Sequence, residues 1–267
     1  MKQIASRANP LYKELLTIVR HAGRRDANVW LEGVHLCEAW QSHYGQPIWA
    51  IFDADKLAQP DIALIASQVE QQRQIILTAE LMHGLSTMKS SAGVAYVCQG
   101  PALALPSRLS SSAIVLDEIQ DPGNVGTMIR TAAAAGIGHV MATPGSAAAW
   151  SPKVLRAGQG AHFAVAIYEG VDVLAWLRAQ RTQQAHLPVI ATSLEASDSL
   201  FEVELPKDCI WVFGHEGRGV SQDLLALADM RIRIDHDAHA VESLNVASAA
   251  AICLFEQRRQ HWQNHLL

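Results

Sequence analysis

The chain has 267 residues, 49% of them hydrophobic and 18% charged, with a formal net charge of −5. This is the make-up of a globular protein with room for one large domain or two modest ones, and no apolar stretch approaches the roughly 18 residues of a membrane span. The opening MKQIASRANPLYKELL is charged throughout and has no apolar signal core, so the expected location is cytoplasmic.

The overall charge conceals an asymmetry. Residues 1–25 hold Lys2, Arg7, Lys13, Arg20, Arg24 and Arg25 against Glu14 alone, a surplus of five that leaves the other 242 residues at −10. A basic segment on an acidic body suits a polyanion partner, although a solvated amphipathic helix explains it equally well. Within the segment, Leu11, Leu15, Leu16, Ile18 and Val19 recur at helical spacing behind Asn9, a candidate cap. VWLEGVHLCEAW, PIWAIFDA, RQIILTA and GVAYVCQ then give short apolar runs mixed with helical pieces, a small α/β unit over residues 1–100. QGPALALPSRLSSSA has two prolines and a serine run without periodicity, and reads as a linker over 101–112.

From residue 113 the rhythm is regular. AIVLDEI, HVMAT, FAVAIY, PVIATS, CIWVFG and RIRI alternate with helical patterns. Such runs suit strands buried on both faces of a parallel sheet, whose ligand sits at the carboxyl ends of the strands. Three loops there carry unusual residues. DPGNVGTMIR places Asn124 as a cap candidate and Arg130, a lone cation, in an otherwise small and apolar helix. FGHEGRGVS has Gly214, Gly217 and Gly219 around Glu216, more glycine than a plain strand-to-helix turn requires. VESLNVASAAAICLFE sets Ser243 and Asn245 before an alanine-rich helix, and one of the two is expected to cap it.

Other templates are missing. No G-x-x-x-x-G-K-[ST], no strand-borne G-x-G-x-x-G with its acidic partner and no G-x-S-x-G occurs, which removes P-loop, dinucleotide and hydrolase-elbow readings. Cys37, Cys98, Cys209 and Cys253 are scattered among apolar residues and read as buried hydrophobes. The pairs His236/His239 and His261/His265 lack a third ligand at a familiar spacing, so no metal is expected.

Taken together, the three loops resemble the motifs of the SpoU (TrmH-like) branch of the SPOUT superfamily, the RNA ribose 2′-O-methyltransferases. DPGNVGTMIRTAAAAGI is similar to the first motif, VFGHEGRGVSQDLLALAD to the second and ESLNVASAAAICLFE to the third. SPKVLRAGQGAHF between them also has the family's look. IASRANPLYKELLTIVRHAGRR with LEGVHLCEA resembles the family's small substrate-binding domain of ribosomal-protein (L30e-like) type. The resemblance implies an α/β protein whose C-terminal SPOUT domain, residues 113–267, has a parallel sheet and a deep trefoil knot. It implies S-adenosylmethionine held around Gly214, Gly219, Ile234 and Leu244, and a homodimer with each active site near the interface. Arg130, Asn124, Glu216, Ser243 and Asn245 match the residues around the target ribose, and Lys13, Arg20, Arg24 and Arg25 are the candidates for RNA contact. The chain departs from the family's Ile-Pro-Met turn by carrying Asp235 and His236 there. Ribosomal RNA is the expected substrate and transfer RNA the alternative. Two readings compete with this one: a non-catalytic RNA-binding protein on the same fold, and a nucleotide-dependent enzyme acting on a small metabolite.

Overall fold

The computed structural model describes residues 1–23, 27–182 and 186–262. Packing divides the chain into two units, Met1–Pro101 with Trp150–Phe163, and Ala102–Ala149 with the chain from Ala164 onward. The first unit begins with β1 (Lys2–Ile4), α1 (Pro10–His21), β2 (Asn28–Glu32), α2 (Val34–Tyr44), β3 (Trp49–Asp53) and α3 (Pro60–Gln68). It continues with β4 (Gln74–Leu77), α4 (Ala79–Leu85) and β5 (Val94–Gln99). The strands form one sheet in the order β1-β4-β3-β5-β2, in which β5 runs antiparallel to both its neighbours.

Helix α1 starts where its residues dictate. Asn9 Oδ1 accepts the Leu11 N–H at 2.9 Å, and Pro10 occupies the first turn, where its missing N–H costs nothing. Leu15 is buried, and Leu11, Leu16, Ile18 and Val19 pack on the same core as Trp30, Ile51 and Ile75. Lys13 and Arg20 are left on the exposed face, while Arg24 and Arg25 lie outside the described residues.

The second unit contains β6 (Ala113–Asp117), α5 (Pro122–Ala135) and β7 (His139–Ala142). The chain then rejoins the first unit with α6 (Pro152–Gly158) before β8 (Ala166–Glu169), α7 (Val173–Arg181), β9 (Val189–Thr192) and β10 (Asp198–Ser199). The remaining elements are β11 (Ile210–Gly214), α8 (Gln222–Leu227), β12 (Met230–Arg233) and α9 (Val246–Trp262). Residues 150–163 follow β7 in the chain yet pack with the first unit for an aromatic reason. Trp150 and Phe163, at the two ends of the segment, set their rings edge-on to Trp40 at 6.3 and 6.5 Å.

The second sheet has the order β10-β12-β9-β11-β6-β7-β8 with every pairing parallel. All six apolar runs are strands, and every residue of β6 and β11 is buried, as expected where helices cover both faces. The stretch before β6 has no helix or strand but is firmly docked. Leu109 enters the core, and the Trp176 indole donates to the Pro106 carbonyl at 2.9 Å. The four cysteines are free and buried, and among the described residues no helix is long and apolar enough to cross a membrane.

Strand order reverses at β6, which lies between β7 and β11. The loops leaving β6 and β11 therefore emerge side by side at the carboxyl edge, the crevice where open parallel sheets place their ligands. Helix α9 is fastened beneath β11 by a buried polar contact. The Trp211 indole, stacked on Phe213, donates to Gln257 Oε1 at 2.8 Å, and Gln257 Nε2 donates to the Pro206 and Lys207 carbonyls. Gln257→Leu would strand that indole N–H, and the expected loss is roughly 1–3 kcal/mol of unfolding free energy, measured by urea denaturation.

Candidate active site

The site starts from the register of two strands. Leu116 pairs with Phe213 and Asp117 with Gly214, and the buried Asp117 carboxylate accepts the Ser221 N–H at 2.8 Å, tying the far end of the β11 loop back to β6. The loop turns so tightly that a Cβ on Gly214 would lie 2.1 Å from the Gly219 carbonyl carbon and the Val220 nitrogen. Gly219 itself has φ +69°, in the left-handed region, and donates to the His215 carbonyl at 2.9 Å. Close backbone approach at the first glycine and chain reversal at the last account for this spacing.

The first loop corrects one expectation. Asn124 is not the cap of α5; Asp121 is, its Oδ1 accepting the Asn124 N–H at 2.9 Å with Pro122 in the first helical position. An Asp-Pro pair opening a helix is a readable start signal. Freed from capping, the Asn124 side chain becomes a bridge. Its Nδ2 donates to Glu216 Oε1 at 2.9 Å, and its Oδ1 accepts from Asn245 Nδ2 at 3.0 Å. Asn245 is the cap of α9, with Oδ1 accepting the Ala247 and Ser248 N–H groups at 3.0 and 3.2 Å. One continuous chain of hydrogen bonds thus joins all three motifs.

Glu216 ends this chain as an acceptor. Its Oε1 also takes the Asp121 N–H at 3.1 Å, and Oε2 takes the Gln120 N–H at 3.3 Å. Burial pushes its carboxyl upward, but the bonds from Asn124 and from backbone N–H groups outweigh that and hold it below the usual carboxylate range. A carboxylate so occupied is a poor base and a good clamp.

Beside the chain lies a pocket of about 330 Å³. Gly214, Gly219, Ile234 and Leu244, the four candidates for cofactor contact, all line it, as do Glu216 and Ser243. The departure at Asp235 and His236 makes a stable turn. Asp235 pairs with Arg233 at 2.9 Å and accepts from Ser199, and His236 Nδ1 lies 2.9 Å from the Ile234 carbonyl. The Ser199 and Arg233 bonds hold the Asp235 carboxyl below its ordinary value.

Arg130 stands apart. Six residues beyond Asn124, it is about 9 Å further along the α5 axis and turned about 120° around it. It is exposed, is not among the pocket-lining residues, and makes no hydrogen bond or ion pair with any described residue. Sequence reading also passed over Glu118, whose φ of +56° is rare outside glycine and whose carboxylate pairs with Arg218 of the second loop. Among the described residues no group of three or more His, Cys, Asp or Glu side chains is placed to hold a metal ion; His236 and His261 contact backbone carbonyls, and His265 lies outside the described residues.

Residues 111–255 match the SpoU rRNA Methylase family, and the chain belongs to it. It is 31% identical over 261 residues to an uncharacterised tRNA/rRNA methyltransferase of Synechocystis, covering 97% of this chain and 94% of the relative. It is 30% identical over 262 residues to the 23S rRNA (guanosine(2553)-2′-O)-methyltransferase RlmP of Bacillus subtilis, covering 97% of this chain and 100% of RlmP. Among solved structures, a protein assigned to the TrmH family of RNA methyltransferases from Porphyromonas gingivalis superposes with a TM-score of 0.77 at 30% identity, covering 92% of this chain and 97% of that one. The SpoU methyltransferase AviRb from Streptomyces viridochromogenes, solved with S-adenosylmethionine, shares the fold with a TM-score of 0.84 at 22% identity, covering 95% and 98%.

The depressed Glu216 carboxyl gives a signed expectation. Its folded value lies below the value of about 4.3 for an unfolded chain, so its stabilising contribution is complete above that value and is lost as pH falls through the folded one. The stability difference between wild type and Glu216→Gln, followed by urea unfolding from neutral pH to about pH 3, should be largest near neutrality and should shrink only on the acid side of the ordinary carboxylate range.

Proposed function

We propose that the protein transfers a methyl group from S-adenosylmethionine to a ribose 2′-hydroxyl of RNA, with ribosomal RNA as substrate. The observation that carries this reading is the hydrogen-bonded chain Asn245–Asn124–Glu216, which meets the pocket at Glu216. Membership of the SpoU family and a full-length relative named for 2′-O-methylation of 23S rRNA support the same chemistry. The pocket fits the cofactor: about 330 Å³ is within the range of small-molecule sites, and its wall combines apolar Ile232, Ile234 and Leu244 with backbone polar groups and acidic side chains suited to a cationic ligand. S-adenosylmethionine, when bound, supplies a methyl group already activated by a sulfonium.

The work left to the protein is to orient a poor nucleophile and receive its proton. Asn124 and Asn245, fixed by their mutual bond, orient the ribose, and the exposed Ser243 hydroxyl lies at the pocket wall to assist. Glu216 holds the loops in place and does not take the proton. Arg130 grips the adjoining phosphate and stabilises the developing alkoxide; a guanidinium is a fork of N–H donors with no acceptor, so a phosphate oxygen or water accepts the proton.

On this reading Arg130, which stands off the pocket of its own chain, completes the site of a second chain in a homodimer. We place a homodimer interface on the surface of α5 and α9, helices that pack on one another; Phe255 of α9, 47% exposed, supports an apolar contact there. The same family reading includes a deep trefoil knot, for which the gathering of the segments after β9, β11 and β12 around one pocket is support. It also makes residues 1–100 an L30e-like RNA-binding part, with Lys13, Arg20, Arg24 and Arg25 as contacts, joined through 101–112 to the catalytic part, 113–267. Free buried cysteines suit a cytoplasmic site of action.

Methyl-labelled cofactor and unmodified ribosomal RNA should yield alkali-resistant labelled dinucleotides, since a methylated 2′-oxygen cannot attack its phosphate. Label in mononucleotides would indicate base methylation, label accepted by transfer RNA alone would favour the tRNA alternative, and no label with either RNA would favour a binding module. Arg130→Ala should abolish transfer while leaving cofactor affinity within about twofold; equal loss of both would refute its role. Phe255→Asp should give monomers in light scattering and lose transfer with the fold retained by circular dichroism.

A further inference from the structure

The charges around the pocket do not balance once each side chain's partners are counted. Two arginines and three glutamates line it: Arg218, Arg233, Glu195, Glu216 and Glu242. Both arginines are neutralised by carboxylates that are not pocket-lining residues. Arg218 pairs with Glu118, and Arg233 pairs with Asp235 at 2.9 Å while donating to the Ala196 carbonyl at 3.0 Å. Glu216 is saturated by the Asn124 amide and two backbone N–H groups. Glu195 and Glu242 remain: both are exposed, and neither side chain makes a hydrogen bond or ion pair with any described residue. The pocket therefore presents two uncompensated acidic groups and no uncompensated arginine.

On the methyltransferase reading above, donor and product differ at one atom that such a surface can sense. The donor carries a positive sulfonium. When the ribose oxygen bonds to the methyl carbon, the carbon–sulfur bond breaks, its electron pair stays on sulfur, and the spent cofactor is a neutral thioether there. We propose that Glu195 and Glu242 are specificity-determining residues that let the pocket tell S-adenosylmethionine from S-adenosylhomocysteine by charge. Attraction between a carboxylate and a cation a few ångströms away is substantial even at a pocket mouth, and it is lost for a neutral sulfur. Added salt weakens it, because both carboxylates are open to solvent. The arrangement assists turnover, since the transfer step itself removes the charge that held the ligand. Arg218 and Arg233 would oppose this if free, and their outward pairing keeps them from doing so.

Titration calorimetry on the full-length protein at low salt tests the inference, with three ligands: S-adenosylmethionine, S-adenosylhomocysteine and an unreactive analogue bearing an ammonium in place of the sulfonium. The wild type should prefer both cationic ligands over the thioether, and the preference should narrow as salt rises. In Glu195→Gln with Glu242→Gln the preference should fall by roughly threefold to tenfold, through weaker binding of the cationic ligands with the thioether little changed. An unchanged preference, or equal weakening of all three ligands in a protein with a wild-type circular dichroism spectrum, would overturn the proposal. Failure of the wild type to bind any of them would instead overturn the methyltransferase reading itself, and this inference with it.

Discussion

The pairing of β6 with β11 is the constraint on which the rest of the second unit depends. It aligns Asp117 with Gly214, so the two loops that follow start level and only one strand spacing apart. At that distance Asp117 can reach the Ser221 N–H at the end of the opposite loop, and the tight turn of that loop on itself leaves no room for a side chain on Gly214. With the loops anchored at their roots, the exposed polar groups above them need only short bonds to connect. Asn124 reaches Glu216 one way and Asn245 the other. A shift of one residue in the β6–β11 register would carry Gly214 away from Asp117 and turn the neighbouring side chains to the opposite face.

Glu216 illustrates how a site of mostly exposed residues becomes ordered. No single bond it accepts is strong by itself in contact with water, but three donors converge on one carboxylate, and two of them are backbone groups of the neighbouring loop. The charge is spent on structure. On the proposed mechanism, proton movement then falls to the substrate phosphate or solvent and electrostatic assistance to a guanidinium, a division in keeping with the ordinary chemistry of each group.

Much of this was legible in the sequence, for identifiable reasons. The six strand runs are continuous and apolar because both faces of a parallel sheet are covered, whereas β10, at two residues, is too short to leave a pattern. Gly214 and Gly219 stood out because glycine is dictated by backbone geometry that no other residue satisfies. Asn124 was read as a helix cap, but Asp121-Pro122 already starts the helix, and the Asn124 side chain instead joins Glu216 to Asn245. Glu118 gave no signal, as an unusual φ in a non-glycine residue is set by neighbours such as Thr143, whose hydroxyl accepts the Glu118 N–H at 2.9 Å. Nor could order along the chain reveal that Trp150 and Phe163 flank Trp40; aromatic packing between residues more than a hundred positions apart has no local signature.

The pocket wall draws on residues from Thr192 to Ala249, and the strand that roots it, β6, begins at Ala113 and must find a partner at Ile210. Contacts so distant in sequence close slowly, because long loops lose entropy before any contact compensates for it. During synthesis the consequence is sharper. A nascent chain cut short before residue 245 has no Asn245 to bridge the loops and no α9 to cover β11, however well its first unit has folded. The pocket wall is therefore complete only once the chain has been made as far as Ala249.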